Sequence, residues 1–532
     1  MLFNSYSFIL LFLPIVFFAF FSLGRKSSIL AAVWLTIASL IFYGLWNWRF
    51  VGLLIVSVSL NYFLGLFIAN RIKQDNQKSR KEAKYLLCLA LTLNLSTLVY
   101  FKYFNFLCSS SNYFFNTTLP YFNIILPIGI SFFTFTQIAF LVDVYKGQTS
   151  EYNFIHYLLF ITYFPHLIAG PVLHHKQIIP QFMNPNTYTL NTENVAVGLT
   201  LFIFGLVKKV LIADSLSTYV IPIFNAANQG VPIAFVEAWI GSLSYTFQIY
   251  FDFSGYSDMA IGLSLLFNIR LPMNFNSPYK ATSIIDFWRR WHISLSTFLR
   301  DYLYIPLGGN KKGTTRRFTN LLITMLLGGL WHGAGWTFVI WGGLHGLYLI
   351  INHFWKALTN LLSLSNESQV TTIISRGLTF LAVIVAWVFF RAESFSSAVS
   401  ILSGMIGLNG ISLPRNLHLE LLPYIKIIPV KLTFSYWMPA CKLPVIHILS
   451  LILLSCLLVW FFPNTRELLK QYKPTWEDIV SVKLTALQQK KNGYSGLLTY
   501  ELNPWTALIM GMIFSYCLLH LTTFSEFIYF QF

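Results

Sequence analysis

The sequence of 532 residues has few charged side chains and very few acidic ones. Asp, Glu, Lys and Arg together make up only 10% of the chain, and 19 residues are acidic. Because about a quarter of the residues of a soluble domain are charged, this composition excludes an ordinary water-soluble protein. Hydrophobic residues make up 56% of the chain, and the sequence therefore predicts a membrane protein.

Cysteine is also scarce, and the five cysteines of the chain form no CxxC pair. No histidine pair has the HExxH spacing of a metalloprotease helix. These absences give little support for a zinc or di-iron site. We therefore predict no metal site and no permanently bound cofactor, and we expect functional histidines to act in acid-base chemistry.

Apolar runs recur from residue 7 onward, and a run of about 20 such residues can cross a bilayer. The first run has neither a basic n-region nor a cleavage pattern, so we interpret it as a retained span. The sequence predicts a single all-α polytopic membrane domain over residues 1–532. Its predicted spans are 7–23, 29–47, 50–69, 85–107, 122–143, 153–171, 194–213, 235–267, 318–335, 337–356, 374–391, 444–462 and 504–522.

Within this domain, the core motif region covers about 120–350. The C-terminal spans and extramembrane connections cover about 370–532, and the two largest predicted connections are 412–443 and 463–503. The formal net charge of +17 lies in the connecting loops, which favours contact with membrane lipid over nucleic-acid binding. The basic loop from Arg71 to Lys84 is predicted to be cytoplasmic by the positive-inside rule.

The segment from Ser283 to Pro306 has the pattern of one amphipathic helix that lies at the membrane interface. His292 projects near the edge between its two faces, where an interfacial hydrogen-bonded histidine is the simpler interpretation. Its apolar side is predicted to carry Ile284, Phe287, Trp288, Trp291, Leu295, Phe298, Leu299 and Tyr302. Its polar side is predicted to carry Asp286, Arg289, Arg290, Thr297, Arg300 and Asp301.

A second histidine, His332, lies within an uncharged, glycine-rich predicted span that reads LLGGLWHGAGW. An ionisable residue at membrane depth favours a functional role. The glycines around it are equally typical of tight helix packing, and both interpretations can hold at once. His345 is predicted to point away from His332 at helical pitch, in a supporting or structural position.

Two further segments interrupt the apolar pattern. Asp252 and Asp258 are six residues apart and do not share a helix face, so we expect each to be neutralised by a nearby Arg or Lys. The segment from Pro165 to Pro171 predicts a kink or a re-entrant turn, and irregular backbone at membrane depth favours a cavity wall.

The motifs occur in an order that can be compared with known families. Residues 288–292 read WRRWH, 300–310 read RDYLYIPLGGN and 331–333 read WHG. Further motifs are LPIGISF at 126–132, IAGP at 168–171, DFSGYSD at 252–258 and the closing SEFIYFQF. Together they resemble bacterial membrane-bound O-acyltransferases, in particular the alginate O-acetylation branch, over essentially the whole chain.

The resemblance implies a ring of transmembrane helices around a central tunnel, with re-entrant and interfacial amphipathic helices. It implies His332 as the catalytic residue and His292 as the second motif histidine. His174 and His175 depart from the Arg-Tyr of many relatives, but they could still contact the phosphates of the donor. Substrate-tunnel or supporting roles are expected for Trp331, Trp291, Asp252, Asp258, Arg289, Arg290, Arg300 and Asp301.

The function implied by the resemblance is acetyl transfer from cytoplasmic acetyl-coenzyme A, across a bacterial inner membrane, to an alginate-like exopolysaccharide or another cell-envelope polymer. A periplasmic acetyltransferase is the implied partner. Two alternatives remain open. One is D-alanyl transfer to teichoic acid, and the other is a non-catalytic transporter or flippase in which the histidines relay protons.

Overall fold

The computed structural model describes residues 1–149, 153–168, 170–362, 368–414, 432–435, 445–485, 500–521 and 528. The chain divides into two compact units. The first unit consists of Met1–Leu206, Tyr256–Asn274 and Thr465–Phe524, and the second consists of Val207–Gly255, Phe275–Asn464 and Ser525–Phe532. Each unit is assembled from segments that are distant in sequence.

The first unit is built from helices. Its α-helices are α1 (Leu13–Gly24), α2 (Ser28–Asn47), α3 (Arg49–Lys73), α4 (Gln77–Leu98), α5 (Phe104–Phe115), α6 (Ile130–Tyr145), α7 (Phe154–Thr162), α8 (Phe164–Leu167), α9 (His175–Met183) and α10 (Thr192–Leu206). Three further helices of this unit, numbered below in chain order, are Thr465–Leu468, Trp476–Thr485 and Pro504–Leu519.

The second unit contains most of the motif residues. Its α-helices are α11 (Asp214–Asn228), α13 (Ile284–Arg290), α14 (Ile293–Leu299), α15 (Gly313–His332), α16 (Trp336–Leu361), α17 (Gln369–Arg391), α18 (Phe395–Met405) and α19 (Val445–Phe461). The helices at Thr465–Leu468, Trp476–Thr485 and Pro504–Leu519 are α20, α21 and α22. The longest helix, α12 (Phe235–Leu266), contributes residues to both units.

The remaining regular structure is short. π-Helical turns cover Ser7–Phe12, Val99–Tyr103, Val207–Ala213 and Arg300–Tyr304, and 3₁₀ turns cover Pro185–Tyr188, Pro278–Lys280 and Lys470–Tyr472. Two strands, β1 (Ile411–Pro414) and β2 (Leu432–Ser435), pair in parallel with Ile411 opposite Leu432. The predicted all-α polytopic class is confirmed, since these strands are a minor addition. Most of the predicted connections, at 415–431, 436–444 and 486–499, lies outside the described residues.

Six helical segments of the described chain are long and apolar enough to cross a bilayer. They correspond to six of the predicted spans, and the other spans stay predictions. Helices α12, α15 and α16 have 32, 20 and 26 residues and are also long enough to cross a bilayer, but they are not among the six. The six segments are Ser7–Gly24, Ser28–Asn47, Arg49–Lys73, Gln77–Phe115, Thr192–Asn228 and Gln369–Arg391.

The prediction of one continuous amphipathic helix over 283–306 is wrong, because the structure has two helices in this segment. Helix α13 ends at Arg290, and His292 adopts a left-handed backbone with φ of 43° before α14 begins at Ile293. Left-handed backbone is uncommon for residues other than glycine, and it interrupts a helix. The predicted apolar side is nevertheless buried at positions such as Phe287 and Leu295. His292 therefore leaves the edge that helical periodicity predicted and is completely buried.

The helix break at 165–171 is as the prolines predict. Helix α7 ends at Thr162, the short α8 carries Pro165 in its first turn, and non-helical backbone follows at Gly170. Proline is tolerated in a first turn, where its missing N–H would have no helical partner. A role of this segment as a cavity wall stays a prediction.

Buried amide side chains connect three helices of the first unit. Asn61 on α3 donates to Gln137 on α6 over 2.9 Å, and Asn94 on α4 donates to Asn61 over 2.6 Å. Gln137 in turn donates to Ser57 over 3.1 Å. Polar side chains between membrane helices satisfy one another because lipid offers no partners. This network fixes α3, α4 and α6 relative to one another.

We expect Asn61→Leu to lower the free energy of unfolding by about 1–3 kcal/mol, because it removes the donor that the buried side-chain oxygens of Asn94 and Gln137 accept from. Unfolding by SDS in mixed micelles, followed by tryptophan fluorescence, measures this loss. Thr97→Val is the control, since the partly exposed Thr97 donates to the Leu93 carbonyl of its own helix, outside the network. Equal stability of both variants would contradict a structural role for the network.

Candidate active site

Helix α15 ends at His332, and close packing against α16 sets its position. The two helices are joined by Gly333–Gly335. A side-chain carbon on Gly329 would collide with the carbonyl oxygen of Phe338, and one on Gly342 would collide with that of Met325. The glycines therefore allow the two backbones to approach closely, as the packing interpretation predicted. The same approach places His332 at the turn between the helices.

The structure brings the two predicted histidines together in the second unit. The ring centroids of His292 and His332 are 6.4 Å apart, and the two residues are 0% and 3% exposed. One small group between the rings could contact both. Burial lowers the pKa of His292 to about 3, so this imidazole is neutral at physiological pH. A neutral imidazole can accept a proton.

Aromatic side chains surround His332. The ring centroids of Trp331, Trp341 and Phe390 lie 5.0, 5.0 and 5.2 Å from that of His332. Trp331 also contacts His292, with 6.0 Å between ring centroids. These side chains form an apolar surrounding in which electrostatic interactions are stronger than in water. The predicted supporting residue Trp331 thus contacts both histidines.

Trp291 lies in the aromatic core of the same unit. It is 1% exposed, and its ring centroid is 4.9 Å from that of Trp387 and 5.0 Å from that of Phe275. Phe253 on α12 meets the His292 ring edge to face at 4.8 Å. The residue before His292 and the ring of His292 itself are therefore both packed against aromatic side chains.

The predicted residue Asp252 takes part in a buried ion-pair cluster. Lys209 Nζ lies 2.6 Å from Asp252 Oδ1 and 2.8 Å from Asp214 Oδ1, and the backbone N–H of Ile528 donates to Asp252 Oδ2 over 3.2 Å. Neutralisation of Asp252 by a nearby basic residue is as predicted. Lys209 was not among the residues predicted from the sequence, although an ionisable residue inside a predicted span is the signal that could have found it.

Asp258 belongs to the first unit, where the Thr465 hydroxyl donates to its carboxylate over 2.9 Å. It is also buried. A buried carboxylate needs such partners because its charge is poorly stabilised away from water. In the described residues this contact connects α12 to α20, and we assign Asp258 a structural position.

The predicted residues Arg290, Arg300 and Asp301 form ion pairs with nearby residues. Arg290 pairs with Asp286 over 2.9 Å, and Arg300 pairs with Asp301 over 2.7 Å. Arg290 also donates to the backbone carbonyl of Asn276 over 3.4 Å, and Arg289 is exposed. Solvent-exposed ion pairs such as Arg300–Asp301 contribute about 0–1 kcal/mol to stability. A supporting role of these charges stays a prediction.

The helical-pitch prediction that placed His345 away from His332 is wrong in its premise, and the supporting or structural position predicted for His345 stays a prediction. The pitch was counted across 332–345, whereas the helix is interrupted at Gly333–Gly335. His345 is fully buried, and its ring centroid is 4.8 Å from that of Trp341, which itself contacts His332. Its Nδ1 atom accepts a hydrogen bond from Trp288 Nε1 over 3.3 Å. His345 therefore belongs to the same buried cluster as the catalytic candidates.

The first unit contains a histidine-carboxylate cluster. Nε2 of His174 and Nε2 of His175 lie 2.8 and 3.0 Å from the same oxygen, Oδ2 of Asp143. The ligand atoms of the three residues lie within 4.8 Å of one another, so a metal ion could be held here. Sequence spacing could not show this cluster, because Asp143 lies on a different helix from the two histidines.

The geometry of this cluster is that of hydrogen bonds. Nitrogen and oxygen ligands around tetrahedral zinc are separated by about 3.3 Å, since each bond is about 2.0–2.1 Å long. His174 Nδ1 accepts from the backbone N–H of Lys176 over 3.3 Å, which leaves the proton of a neutral ring on Nε2. Lys176 Nζ also lies 3.8 Å from the carboxylate. The absence of a resident metal stays a prediction.

The chain is similar to known membrane acyltransferases over most of its length. The model of the membrane-bound O-acyltransferase family matches residues 40–394. A peptidoglycan O-acetyltransferase of Helicobacter pylori is 44% identical over 440 residues, which cover 78% of this chain and 81% of that protein. A probable alginate O-acetylase of Pseudomonas putida is 37% identical over 537 residues, which cover 100% of both chains.

A more distant relative is a teichoic acid D-alanyltransferase of Bacillus subtilis. It is 27% identical over 288 residues, which cover 52% of this chain and 71% of that protein. The family match includes the described segments that carry His292 and His332. The resemblance predicted from the motifs is thereby confirmed. The chain belongs to the membrane-bound O-acyltransferase family and is a multi-pass membrane acyltransferase.

Proposed function

We propose that this enzyme transfers an acetyl group from cytoplasmic acetyl-coenzyme A, across the bacterial inner membrane, to hydroxyls of a cell-envelope polysaccharide. The observation that carries the proposal is the buried pair His292 and His332, with ring centroids 6.4 Å apart in an aromatic surrounding. The names of the relatives from Helicobacter pylori and Pseudomonas putida both refer to O-acetylation. They support acetyl as the transferred group.

The proposed chemistry requires one proton acceptor. The neutral imidazole of His332 takes the proton of an acceptor hydroxyl as that oxygen attacks the thioester carbonyl. The new C–O bond forms, the C–S bond breaks, and the proton passes to the leaving thiolate of coenzyme A. His292 contacts the same space from the other side and can orient the hydroxyl or share its proton.

The acceptor is proposed to be an alginate-like exopolysaccharide or another envelope polymer such as peptidoglycan. A periplasmic acetyltransferase is the proposed partner that completes transfer outside the membrane. Membrane lipid surrounds the predicted spans. Membership of an acyltransferase family argues against a non-catalytic transporter, because it supports covalent chemistry at the histidines.

We expect His332→Ala to lower acetyl-coenzyme A turnover about 10²–10⁴-fold, because the general base is removed. Release of free thiol from protein in lipid nanodiscs, with acceptor or partner supplied, measures turnover. His292→Ala is expected to cause a smaller loss if it orients the acceptor. His447→Ala is the control, since His447 is exposed on α19. Unchanged turnover in well-folded His332→Ala would exclude it as the base.

The donor distinguishes acetylation from D-alanylation. We expect the wild-type enzyme to transfer radiolabelled acetyl from acetyl-coenzyme A and to transfer no D-alanine from a charged carrier protein. Lower identity to the D-alanyltransferase, 27% against 44% and 37% for the two O-acetylation relatives, is the reason. Transfer of label only from the D-alanyl carrier would replace the acetyl proposal with the D-alanyl alternative.

A further inference from the structure

Two buried N–H donors in the aromatic cluster that contains His332 have no acceptor among the described residues. His345 Nε2 and Trp341 Nε1 are each buried, and neither makes a hydrogen bond in the described part of the chain. Both residues are 0% exposed. An unpaired donor inside a protein is unfavourable, and buried polar groups nearly always have a partner. A group that is bound during the reaction would supply one.

The hydrogen bond to His345 determines which of its nitrogens can donate. Trp288 Nε1 carries a hydrogen and can only donate, so Nδ1 of His345 is the acceptor over 3.3 Å. A neutral imidazole has one protonated nitrogen, and that nitrogen is then Nε2. Trp288 therefore fixes the tautomer of His345 that presents an N–H at the unpaired position.

The two donors share one side of α16, and Trp341 contacts the catalytic candidate His332. Trp341 and His345 are four residues apart, which places them on the same helix face. Their ring centroids are 4.8 Å apart, and that of Trp341 is 5.0 Å from that of His332. The rings of His332, Trp341 and His345 therefore form a consecutive series of contacts. His332 is the proposed base, and the other two rings carry the N–H donors.

We propose that the N–H groups of Trp341 and His345 bind the carbonyl oxygen of the acyl group during transfer, and stabilise the negative charge that forms on it. This inference rests on the proposed acyl transfer at His332. When the acceptor oxygen attacks, the π electrons of the carbonyl move to its oxygen and a tetrahedral oxyanion forms. When the carbonyl re-forms, the C–S bond breaks and the thiolate leaves with the proton held by His332.

The physical reason is that charge develops on this oxygen only after attack. Donors that are already positioned in an apolar site stabilise such a charge more strongly than water does, and they need no reorganisation. Neither donor is occupied by another described residue, in contrast to Trp387, whose Nε1 donates to the Tyr279 hydroxyl over 3.2 Å. Trp387 therefore serves as the matched control in the same aromatic cluster.

Trp341→Phe removes one N–H and keeps a large ring. We expect its kcat for acetyl-coenzyme A to fall roughly 10²-fold or more, with little change in KM, because the donor acts in the transition state. Trp387→Phe makes the same chemical change at a donor that is already paired, and its kcat is expected to stay close to that of the wild type. Thermal unfolding of each variant in nanodiscs checks that the fold is retained.

His345 allows a sharper comparison between two amides. Glutamine can place its NH₂ near the position of Nε2, whereas asparagine can place its amide near the position of Nδ1. If the Nε2 donor matters, His345→Gln retains more kcat than His345→Asn. If His345 serves only to accept from Trp288, the order is reversed.

The outcomes separate this inference from the function on which it rests. Wild-type kcat in Trp341→Phe, or more activity in His345→Asn than in His345→Gln, would overturn the donor pair while His332→Ala remains inactive. No turnover by the wild type with donor, acceptor and partner present would overturn the proposed function and the donor pair together. A loss of kcat in Trp341→Phe, together with an unchanged kcat in Trp387→Phe, supports the inference.

Discussion

Every polar group in the membrane-embedded part of this protein depends on finding a partner inside the protein, because hydrocarbon offers neither donors nor acceptors. The amides of Asn61, Asn94 and Gln137 satisfy one another in the first unit. In the second unit, Lys209 lies between the carboxylates of Asp214 and Asp252. Polar groups that are paired in this way stabilise the fold, and their donors and acceptors are not free to bind a substrate.

The histidine cluster of the second unit differs in this respect. His292, His332 and His345 are all buried, and the contacts described for their rings are mainly with aromatic rings. Within this surrounding, the N–H groups of Trp341 and His345 have no acceptor among the described residues. These two N–H groups are therefore available to hydrogen-bond a substrate, which is consistent with an acyltransferase.

Close backbone packing determines where the histidines of this cluster lie. Glycine at 329 and 342 allows α15 and α16 to approach each other, and the short turn at Gly333–Gly335 reverses the chain beside His332. The same turn directs α16 back along α15, so His345 lies in the same buried cluster as His332. A continuous helix would have carried His345 away from that cluster. At His292, a left-handed residue between α13 and α14 turns the side chain into the core. Both histidines are thus positioned by interruptions in helices.

The sequence by itself determined the properties that depend on composition and on neighbouring residues. Scarce charge and repeated apolar runs fixed the membrane class, the motifs fixed the family, and ionisable residues in apolar surroundings identified His332, His292 and Asp252. The tertiary structure alone decided which distant residues meet, such as Asp143 with His175, Lys209 with Asp252 and Trp288 with His345. Periodicity follows a helix only while it is continuous, and contacts across a helix break depend on packing between segments that are far apart in sequence.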